Sequence, residues 1–490
     1  MNEAVRSRSV LFVLLGAAVL LLSAAWLRSA EYDEQYTLFL TGRVARPLWP
    51  PNAITAVEVR GMQVAEQGPA AIARDLRATD VHPPLYFWMI SAWRRLLGNS
   101  VFVARLASVL CSIATLYFVR LIARAAAIPA VLAMLLTIGC YGFVYTGTIA
   151  RGFALAQMLS VAGVALLADG RGRPHRMLTA GALLGAATFT NYLAAFVGCA
   201  GVLHTLRRTP VAFAAVCTGF VAWLPADLWF FLAQRHSRSG QFEAFEPLAV
   251  IARLARYSVA NMFGGLPLYS AGVTRLFLAA GVSILFLLGM GAIAGRWRSL
   301  ATPEARRLLG MCAIAPPLGL FALGFVFGNA PVELRYLAFA TPYAALLLAA
   351  ALPRWLRYAT LTVQALALVG LMTRAETMQP ARATAQAAAS LVRHGVVLLP
   401  RGNDGVGIVG AFANEAPPAM RILIIDADTP PEQIRDSAVP FSPVVLVLLA
   451  QDASSRATLP SMRAAVGGPC WRLTGEGFNV LAYEHICAGR

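Results

Sequence analysis

A series of apolar runs, several of them close to the roughly 20 residues that cross the hydrocarbon core of a bilayer, constrains this chain more than any other feature. The first run extends from Val10 to Leu27, and others follow as far as Thr373. With 58% apolar and 13% charged residues, the composition excludes a soluble globular protein. The sequence therefore predicts an α-helical polytopic membrane protein.

Arginine supplies all 41 basic residues of the chain, and the formal net charge is +17. A basic excess can indicate nucleic-acid binding. Here it lies in the short loops between apolar runs, where arginine sets helix orientation and contacts anionic membrane lipids. We therefore expect membrane lipids, and no nucleic acid, as partners. Arg6 and Arg8 precede the first run, which we interpret as an uncleaved helix rather than a secretory signal peptide.

Placing every strongly basic loop on one side gives about 11 transmembrane helices, with the amino end inside and the carboxyl end outside. With this orientation we expect a cytoplasmic N-terminus and a C-terminal domain on the outer, periplasmic side. We expect a transmembrane domain, 1–373, and a small α/β domain, 374–490, in which β-rich runs alternate with helices. The first contains an external loop, 30–83, and an interfacial helix, 84–97, that is too short to span. The predicted spans are 9–29, 101–122, 127–147, 152–168, a tight pair of short helices in 177–206, 210–231, 271–294, 308–327, 336–352 and 358–373.

Two cysteines lie in the predicted external domain. Cys470 and Cys487 flank an apparent terminal hairpin. An oxidising periplasm permits a disulfide between them but does not require one, so both states stay open.

The acidic residues are unevenly distributed. Seven lie between Glu31 and Asp80, whereas only six lie between Pro84 and Thr373. A carboxylate cluster at the mouth of a membrane domain is energetically unfavourable unless it has a use. Asp33 and Glu34 follow the first run directly, so they are either a general base that takes a proton from an acceptor or acids placed at a helix N-terminus.

Asp80 and His82 stand just before the Pro-Pro start of the short apolar helix. Asp80 can cap that helix, and this is compatible with a role in a site. Together with Asp33 and Glu34 the pair offers suitable ligands for a divalent metal. The spacing does not demand a metal, so a metal site is possible but not favoured, and no cofactor is assigned.

Three arginines are predicted at the external ends of helices, although most arginines of the chain lie in the internal loops. They are Arg105, Arg151 and Arg335. They either extend to the membrane interface or bind an anion, and a guanidinium group matches the geometry of a phosphate.

Six short stretches in a fixed order carry a resemblance to a known family. They are Asp33-Glu34, His82 to Phe87, Ala104 to Ser108, Arg151, Thr190-Asn191-Tyr192 and Arg335-Tyr336-Leu337. With them the chain resembles membrane glycosyltransferases of the GT-C superfamily, in the protein O-mannosyltransferase-like group that includes the lipid A aminoarabinose transferases. The resemblance covers most of the membrane region, from residue 9 to about residue 350, and implies a GT-C type fold there.

This resemblance implies a transfer reaction at the external face. The sugar would come from a polyprenyl-phosphate donor and pass, with inversion, to a lipid, glycan or protein acceptor. Asp33 would be the base, with Glu34 beside it. The donor phosphate would be held by Arg151, Arg335 and Arg105. Substrate contacts would come from Asp80, His82, Tyr86, Tyr145, Tyr192 and Tyr336.

Two positions depart from the family pattern. Many relatives carry Glu two residues before the arginine that corresponds to Arg151. This chain has Ile149 there, so a mechanism with two carboxylates or a metal is doubtful. The aminoarabinose transferases have Lys where this chain has His82, so the sugar is not carried over. A transporter or flippase of lipid-linked saccharides and a non-catalytic envelope scaffold are the alternative functions.

Overall fold

A computed structural model describes residues 3–169, 173–235, 242–374, 380–392 and 394–487. Its residues group into two units. The membrane unit comprises Met1–Leu27, Ala73–Met89 and Ala104–Arg374, and the α/β unit comprises Arg28–Ile72, Ile90–Val103 and Ala375–Arg490. These bounds do not coincide with the predicted division at residue 373, because most of the first external loop groups with the carboxyl-terminal part of the chain.

Among its described residues, the membrane unit is built of helices and their connecting loops, with one isolated β-bridge between Ala244 and Asn329. Its long helices follow the apolar runs, since only a helix satisfies every backbone group within hydrocarbon. The helices are α1 (Glu3–Leu27), α6 (Val101–Ala125), α7 (Ala130–Gly139), α8 (Tyr141–Gly147), α9 (Phe153–Ala168), α10 (Pro174–Thr188), α11 (Ala195–Thr205), α12 (Pro210–Val221), α13 (Leu224–Gln234), α14 (Pro247–Phe263), α15 (Gly272–Arg296), α16 (Pro303–Phe327), α17 (Thr341–Ala351) and α18 (Arg354–Thr373). Short 3₁₀ helices at Tyr192–Ala194 and Leu334–Ala340 precede α11 and α17. Helices α4 (Pro69–Thr79) and α5 (Leu85–Leu97) contribute residues to both units.

The chain is a multi-pass membrane protein. Within the described residues, six helices are long and apolar enough to cross a bilayer, or up to eight if each bent pair counts as one span. The predicted spans 127–147 and 210–231 are bent pairs, with angles of 71° between α7 and α8 and 42° between α12 and α13. The predicted number of about eleven also counted the short helices of 152–168 and 177–206, which are below spanning length.

One helix lies where the sequence was interpreted as an external loop. α14 occupies much of the segment between α13 and α15, and Pro247 stands in its first turn, where a missing N–H does no harm. Val250 is buried in a cluster with Leu320 and Leu337. Arg253 and Arg256 within α14 interrupted the apolar pattern that would have revealed it.

The α/β unit is built on one six-stranded sheet. Its strands are β1 (Ile54–Thr55), β2 (Val396–Pro400), β3 (Arg421–Ile425), β4 (Val444–Val447), β5 (Trp471–Gly477) and β6 (Val480–His485). Their order is β1-β3-β2-β4-β6-β5, with β3, β2 and β4 parallel and the outer strands antiparallel. The helices of this unit are α2 (Tyr32–Leu40), α3 (Ala56–Met62), α19 (Ala381–Leu391), α20 (Gly407–Glu415), α21 (Pro431–Ala438) and α22 (Ala453–Ala465). Residues of the first loop thus belong to the same sheet as the carboxyl-terminal strands.

Burial explains the stability of this sheet. All residues of β2 and β4 are buried, as near-continuous apolar strands in a parallel sheet should be. One face packs against a core that includes Phe39 and Val59 from the first loop, and the other against Ile434 and Met462. A disulfide joins Cys470 to Cys487 and closes the β5–β6 hairpin, so the bonded alternative is the one adopted.

Candidate active site

The two predicted catalytic acids lie on α2, in the α/β unit. Glu31 precedes the helix, and its backbone N–H donates to Oε2 of Glu34 at 3.0 Å. Glu34 is fully buried and therefore serves the helix N-terminus, as acids in a first turn commonly do. Asp33 is 8% exposed and stands one position earlier on the same turn. The carboxylate of Glu34 thus has a defined contact at the N-terminus of α2.

A polar network fixes α2 against α20. Nε2 of Gln63 donates to Oε1 of Gln35 at 3.0 Å, and Nδ2 of Asn414 donates to the same oxygen at 2.9 Å. Gly410 of α20 has no Cβ, and one there would lie 2.5 Å from Oε1 of Gln35. Because these buried amides bond to one another, the orientation of α2, and with it that of Asp33, is closely determined.

Two tyrosines of α2 bind acids of the carboxyl-terminal part. The hydroxyl of Tyr32 donates to Oδ2 of Asp452 at 3.0 Å, and Tyr36 donates to Asp404. Burial, followed by the charge of Asp404, raises the pKa of Tyr32 far above its usual value. The phenol therefore remains a donor throughout the physiological range.

Arg94 of α5 is a buried cation that the sequence did not single out for the site. It donates to Oγ1 of Thr41 at 2.6 Å and to the carbonyls of Leu38 and Gln63. The Leu38 and Thr41 contacts lie at the carboxyl end of α2, where a cation is favourable for the helix dipole. Arg94 thus joins α2 to the chain around Gln63.

In the membrane unit, Asp80, His82 and Arg151 meet. Nδ1 of His82 lies 2.9 Å from Oδ1 of Asp80, which also accepts the Val81 N–H at 2.7 Å. Nη2 of Arg151 lies 3.5 Å from both ring nitrogens of His82, and its guanidinium carbon is 6.0 Å from the centre of the Phe87 ring. Asp80 thus orients the imidazole of His82. That ring lies beside the guanidinium of Arg151, a residue that is only 3% exposed.

Close backbone approach explains how these motif segments come together. Gly152 follows Arg151, and a Cβ on it would lie 3.2 Å from the carbonyl oxygen of Thr190 and 3.3 Å from Cβ of Tyr86. The N–H of Leu85 donates to the carbonyl of Phe189 at 3.4 Å. The first turn of α5, the start of α9 and the turn after α10 therefore converge on one point of the unit.

Gln234 is a site residue that the sequence analysis missed. Its Nε2 donates to the carbonyls of Leu76 and His82 at 2.9 and 3.0 Å, and its Oε1 accepts from the hydroxyl of Tyr192 at 2.9 Å. A buried glutamine at the end of an apolar helix was the available signal, since such groups are rarely placed there without a partner. Gln234 holds the segment that carries the Asp80–His82 pair and explains the placement of Tyr192.

Arg335 lies at the start of the 3₁₀ helix Leu334–Ala340. It pairs with Glu333, and its guanidinium carbon is 5.6 Å from the centre of the Tyr336 ring. Tyr336 in turn packs 6.3 Å from Phe153, ring centre to ring centre. Since Phe153 is two residues after Arg151, the segments carrying Arg151 and Arg335 pack directly against each other.

The remaining predicted residues make contacts within the helices. Nη1 of Arg105 donates to the carbonyl of Ala25 at 2.8 Å, in the last turn of α1, where carbonyls have no intrahelical partner. Tyr145 stacks on Tyr141 at 6.4 Å, and Tyr86 packs edge-on against Phe87 at 5.5 Å. All three predicted residues are buried.

Ile149 occupies the position where many relatives carry an acid. It is fully buried, and its carbonyl accepts from the hydroxyl of Ser108 at 2.6 Å and from the Arg151 N–H at 2.9 Å. The turn before Arg151 is thus held by its backbone. Among the described residues, no group of three or more His, Cys, Asp or Glu side chains is arranged to hold a metal ion.

Residues 81–229 match the family of dolichyl-phosphate-mannose-protein mannosyltransferases. Among solved structures, the chain is similar to ArnT from Cupriavidus metallidurans bound to undecaprenyl phosphate, with 12% identity, a TM-score of 0.53 and 97% of each chain covered. It is also similar to the apo state of ArnT from the same organism, with 12% identity, a TM-score of 0.55 and 98% of each chain covered. No match is found among curated protein sequences.

The family match contains six of the predicted site residues, namely His82, Tyr86, Arg105, Tyr145, Arg151 and Tyr192. The structural similarity extends over nearly the whole chain and shows the ArnT-like fold. The predicted resemblance to GT-C glycosyltransferases is confirmed.

Proposed function

We propose that this membrane glycosyltransferase of GT-C type transfers a sugar from a polyprenyl-phosphate donor to a lipid, glycan or protein acceptor, with inversion at the anomeric carbon. The observation that carries the proposal is the convergence of the Arg151 segment with the Asp80–His82 pair on one side and with the Arg335 segment on the other. The similar ArnT structure that contains undecaprenyl phosphate supports the choice of donor class.

The proposed phosphate-binding groups are Arg151 and Arg335. Both guanidinium groups can offer paired N–H donors to phosphate oxygens, and the Arg151 residue is 97% shielded from solvent, where such bonds are stronger. His82, oriented by Asp80, positions the Arg151 side chain. Arg105 is left out of the phosphate-binding pair, because its guanidinium bonds the end of α1.

Asp33 is the proposed general base. It removes the proton from the acceptor nucleophile while that atom attacks the anomeric carbon on the face opposite the phosphate. The bond between the anomeric carbon and the phosphate oxygen breaks, and the electron pair stays on the leaving phosphate. Arg151 and Arg335 stabilise the charge that develops there. A single displacement of this kind inverts the anomeric centre.

Substrate contacts are proposed for the side chains around these groups. Asp80, His82, Tyr86, Tyr145, Tyr192 and Tyr336 are the residues concerned. The site is proposed to face the periplasm of a bacterial inner membrane, with the arginine-rich loops in the cytoplasm. The distribution of arginine supports this orientation.

Transfer by the purified chain tests the proposal. The protein is reconstituted in vesicles with radiolabelled polyprenyl-phosphate sugars, and product formation is measured for Arg151→Gln. Loss of one donor to a developing charge typically lowers turnover by about 10²–10³-fold. The control is Arg176→Gln, which removes an arginine in the first turn of α10 that pairs with Asp169.

Two results would contradict the proposal. Unchanged turnover and donor KM in Arg151→Gln would exclude the phosphate role of that residue. Movement of labelled lipid-linked sugar across the vesicle membrane, without any transfer of the sugar to an acceptor, would favour the transporter alternative instead.

A further inference from the structure

A cavity lies between α11 and α16, away from the Arg151 site. Its volume is about 770 Å³, within the range of roughly 300–1,000 Å³ that is typical of ligand pockets. Phe196 and Leu203 of α11 line one wall, and Ile314 and Leu318 of α16 line the other. None of these residues belongs to the proposed catalytic machinery.

The two helices run antiparallel along the cavity. At one end a Cβ on Gly319 would lie 2.2 Å from the Phe196 ring, and at the other Arg208 and Glu304 lie 3.6 Å apart. Along α11 the lining extends from Phe196 to His204, a rise of about 12 Å. Half of the hydrocarbon core is about 15 Å thick, so the cavity has the depth of one leaflet.

The mouth of the cavity is cationic. Arg207, Arg208 and Arg307 line it together with one acid, Glu304, so three positive charges and one negative charge leave a net charge of +2. Nη2 of Arg208 donates to the carbonyl of Leu167 at 2.9 Å, which fixes one guanidinium at the rim. A phosphate group complements this charge.

The mouth and the Arg151 site lie at opposite ends of α9. Leu167, which bonds Arg208, is near the last residue of α9, whereas Arg151 stands before its first. The 16 residues of α9 span about 24 Å. A donor phosphate held at Arg151 therefore cannot reach the arginines of this cavity.

The apolar walls need a cover that the protein does not supply. Leu203 is 54% exposed, Ile314 is 61% exposed and Leu318 is 63% exposed. In a membrane protein, hydrocarbon chains supply such a cover. A ligand with acyl chains and an anionic headgroup satisfies both the walls and the mouth.

We propose that this cavity is a binding site for one anionic phospholipid, with an acyl chain between α11 and α16 and the phosphate at Arg207 and Arg307. The lipid comes from the leaflet that the arginine-rich loops face. Its binding is separate from sugar transfer and is measured without any turnover.

Native mass spectrometry of the detergent-purified chain tests this site. Phosphatidylglycerol and phosphatidylcholine with identical acyl chains are titrated in parallel. We expect phosphatidylglycerol to bind at least about tenfold more tightly, and the variant Arg207→Gln with Arg307→Gln to weaken it by about 30-fold. Glycerol 3-phosphate, which lacks acyl chains, should not compete.

The control variant removes two arginines from the first turn of α18, Arg354→Gln with Arg357→Gln, and should bind phosphatidylglycerol as the unmodified chain does. A second variant, Ala200→Trp, fills the cavity and should abolish retention of the lipid. Equal binding of the two lipids, or equal loss in the control and the Arg207 and Arg307 variant, would overturn the proposal. Competition by glycerol 3-phosphate would also overturn it, because a simple anion site would then account for the binding.

Discussion

Replacing the two adjacent acids of α2 separates a catalytic role from a structural one. Glu34 accepts the Glu31 N–H at 3.0 Å and is fully buried, so Glu34→Ala removes a helix-terminal hydrogen bond that is worth about 0.5–2 kcal/mol of stability. Asp33→Asn keeps the size of the side chain and removes the base. General-base catalysis contributes about 10²–10⁴-fold, so turnover should fall by that factor.

In barrier terms, this fall for Asp33→Asn corresponds to about 3–5 kcal/mol. The assay measures single-turnover sugar transfer together with thermal unfolding of the same preparation. Asp33→Asn should lose transfer with an unchanged unfolding temperature, whereas Glu34→Gln, which retains an acceptor oxygen, should change both little. Loss of transfer in Glu34→Gln as large as in Asp33→Asn, with normal folding, would refute the assignment of the base.

Three further substitutions test single contacts of the two units. Gln234→Leu removes the donor to two backbone carbonyls, whose bonds are worth about 1 kcal/mol each, so we expect donor KM to rise by up to about 30-fold in steady-state assays. Glu333→Gln removes the carboxylate paired with Arg335, so donor KM should fall severalfold at low salt, and an unchanged KM would show that Arg335 does not bind donor. Replacing Cys470 and Cys487 by Ser opens a loop with a sequence separation of 17 and should destabilise the α/β unit by about 3 kcal/mol, visible as faster proteolysis of the hairpin.

The long helices could be predicted from the sequence because each apolar run exceeds the thickness it must cross. α6 begins at the predicted residue and ends three residues beyond the predicted end, whereas α1 begins six residues before its predicted start. α14 could not be predicted in this way, because its arginines break the apolar run while its buried side forms the cluster around Val250. Helix breaks such as that between α7 and α8 depend on tertiary packing, which an apolar count does not contain.

The candidate site was partly predictable for a related reason. Asp80 and His82 are two residues apart, so the sequence alone placed them near each other, and the structure adds their direct contact. The contact of Arg151 with His82, and of Gln234 with the His82 carbonyl, joins segments far apart in the chain. Nothing in the local pattern of either segment specifies such a contact.

The α/β unit was harder to predict for the opposite reason, because part of it comes from the first loop. The two residues of β1, Ile54 and Thr55, form a strand only by pairing with Ile422 and Arg421 of β3. A segment this short has no periodicity of its own. The first loop therefore seemed an independent external segment until its partner strand was known.

The sheet order suggests why the carboxyl-terminal part holds α2. β2 lies between two parallel neighbours, β3 and β4. The chain passes from β2 to β3 on one side and then crosses back to β4 on the other side of β2. In open α/β sheets the carboxyl ends of strands at such a switch point form a ligand-binding crevice. Here Asp404 and Asp452 follow β2 and β4 and bind Tyr36 and Tyr32. The crevice is thus occupied by α2, the helix of the same chain that carries Asp33.

This arrangement predicts a coupled loss when both tyrosine hydroxyls are removed. Tyr32→Phe with Tyr36→Phe leaves the two carboxylates without these donors, and bonds to charged groups are worth about 1.5–3 kcal/mol each. We expect sugar transfer to fall about tenfold or more through displacement of Asp33, with donor KM unchanged. Because the pKa of Tyr32 is raised, its contribution should be constant below about pH 10 and be lost only above it. Phe39→Leu, which changes the same helix without touching either acid, is the control, and an equal loss of transfer there would show that general loosening of α2 explains the result.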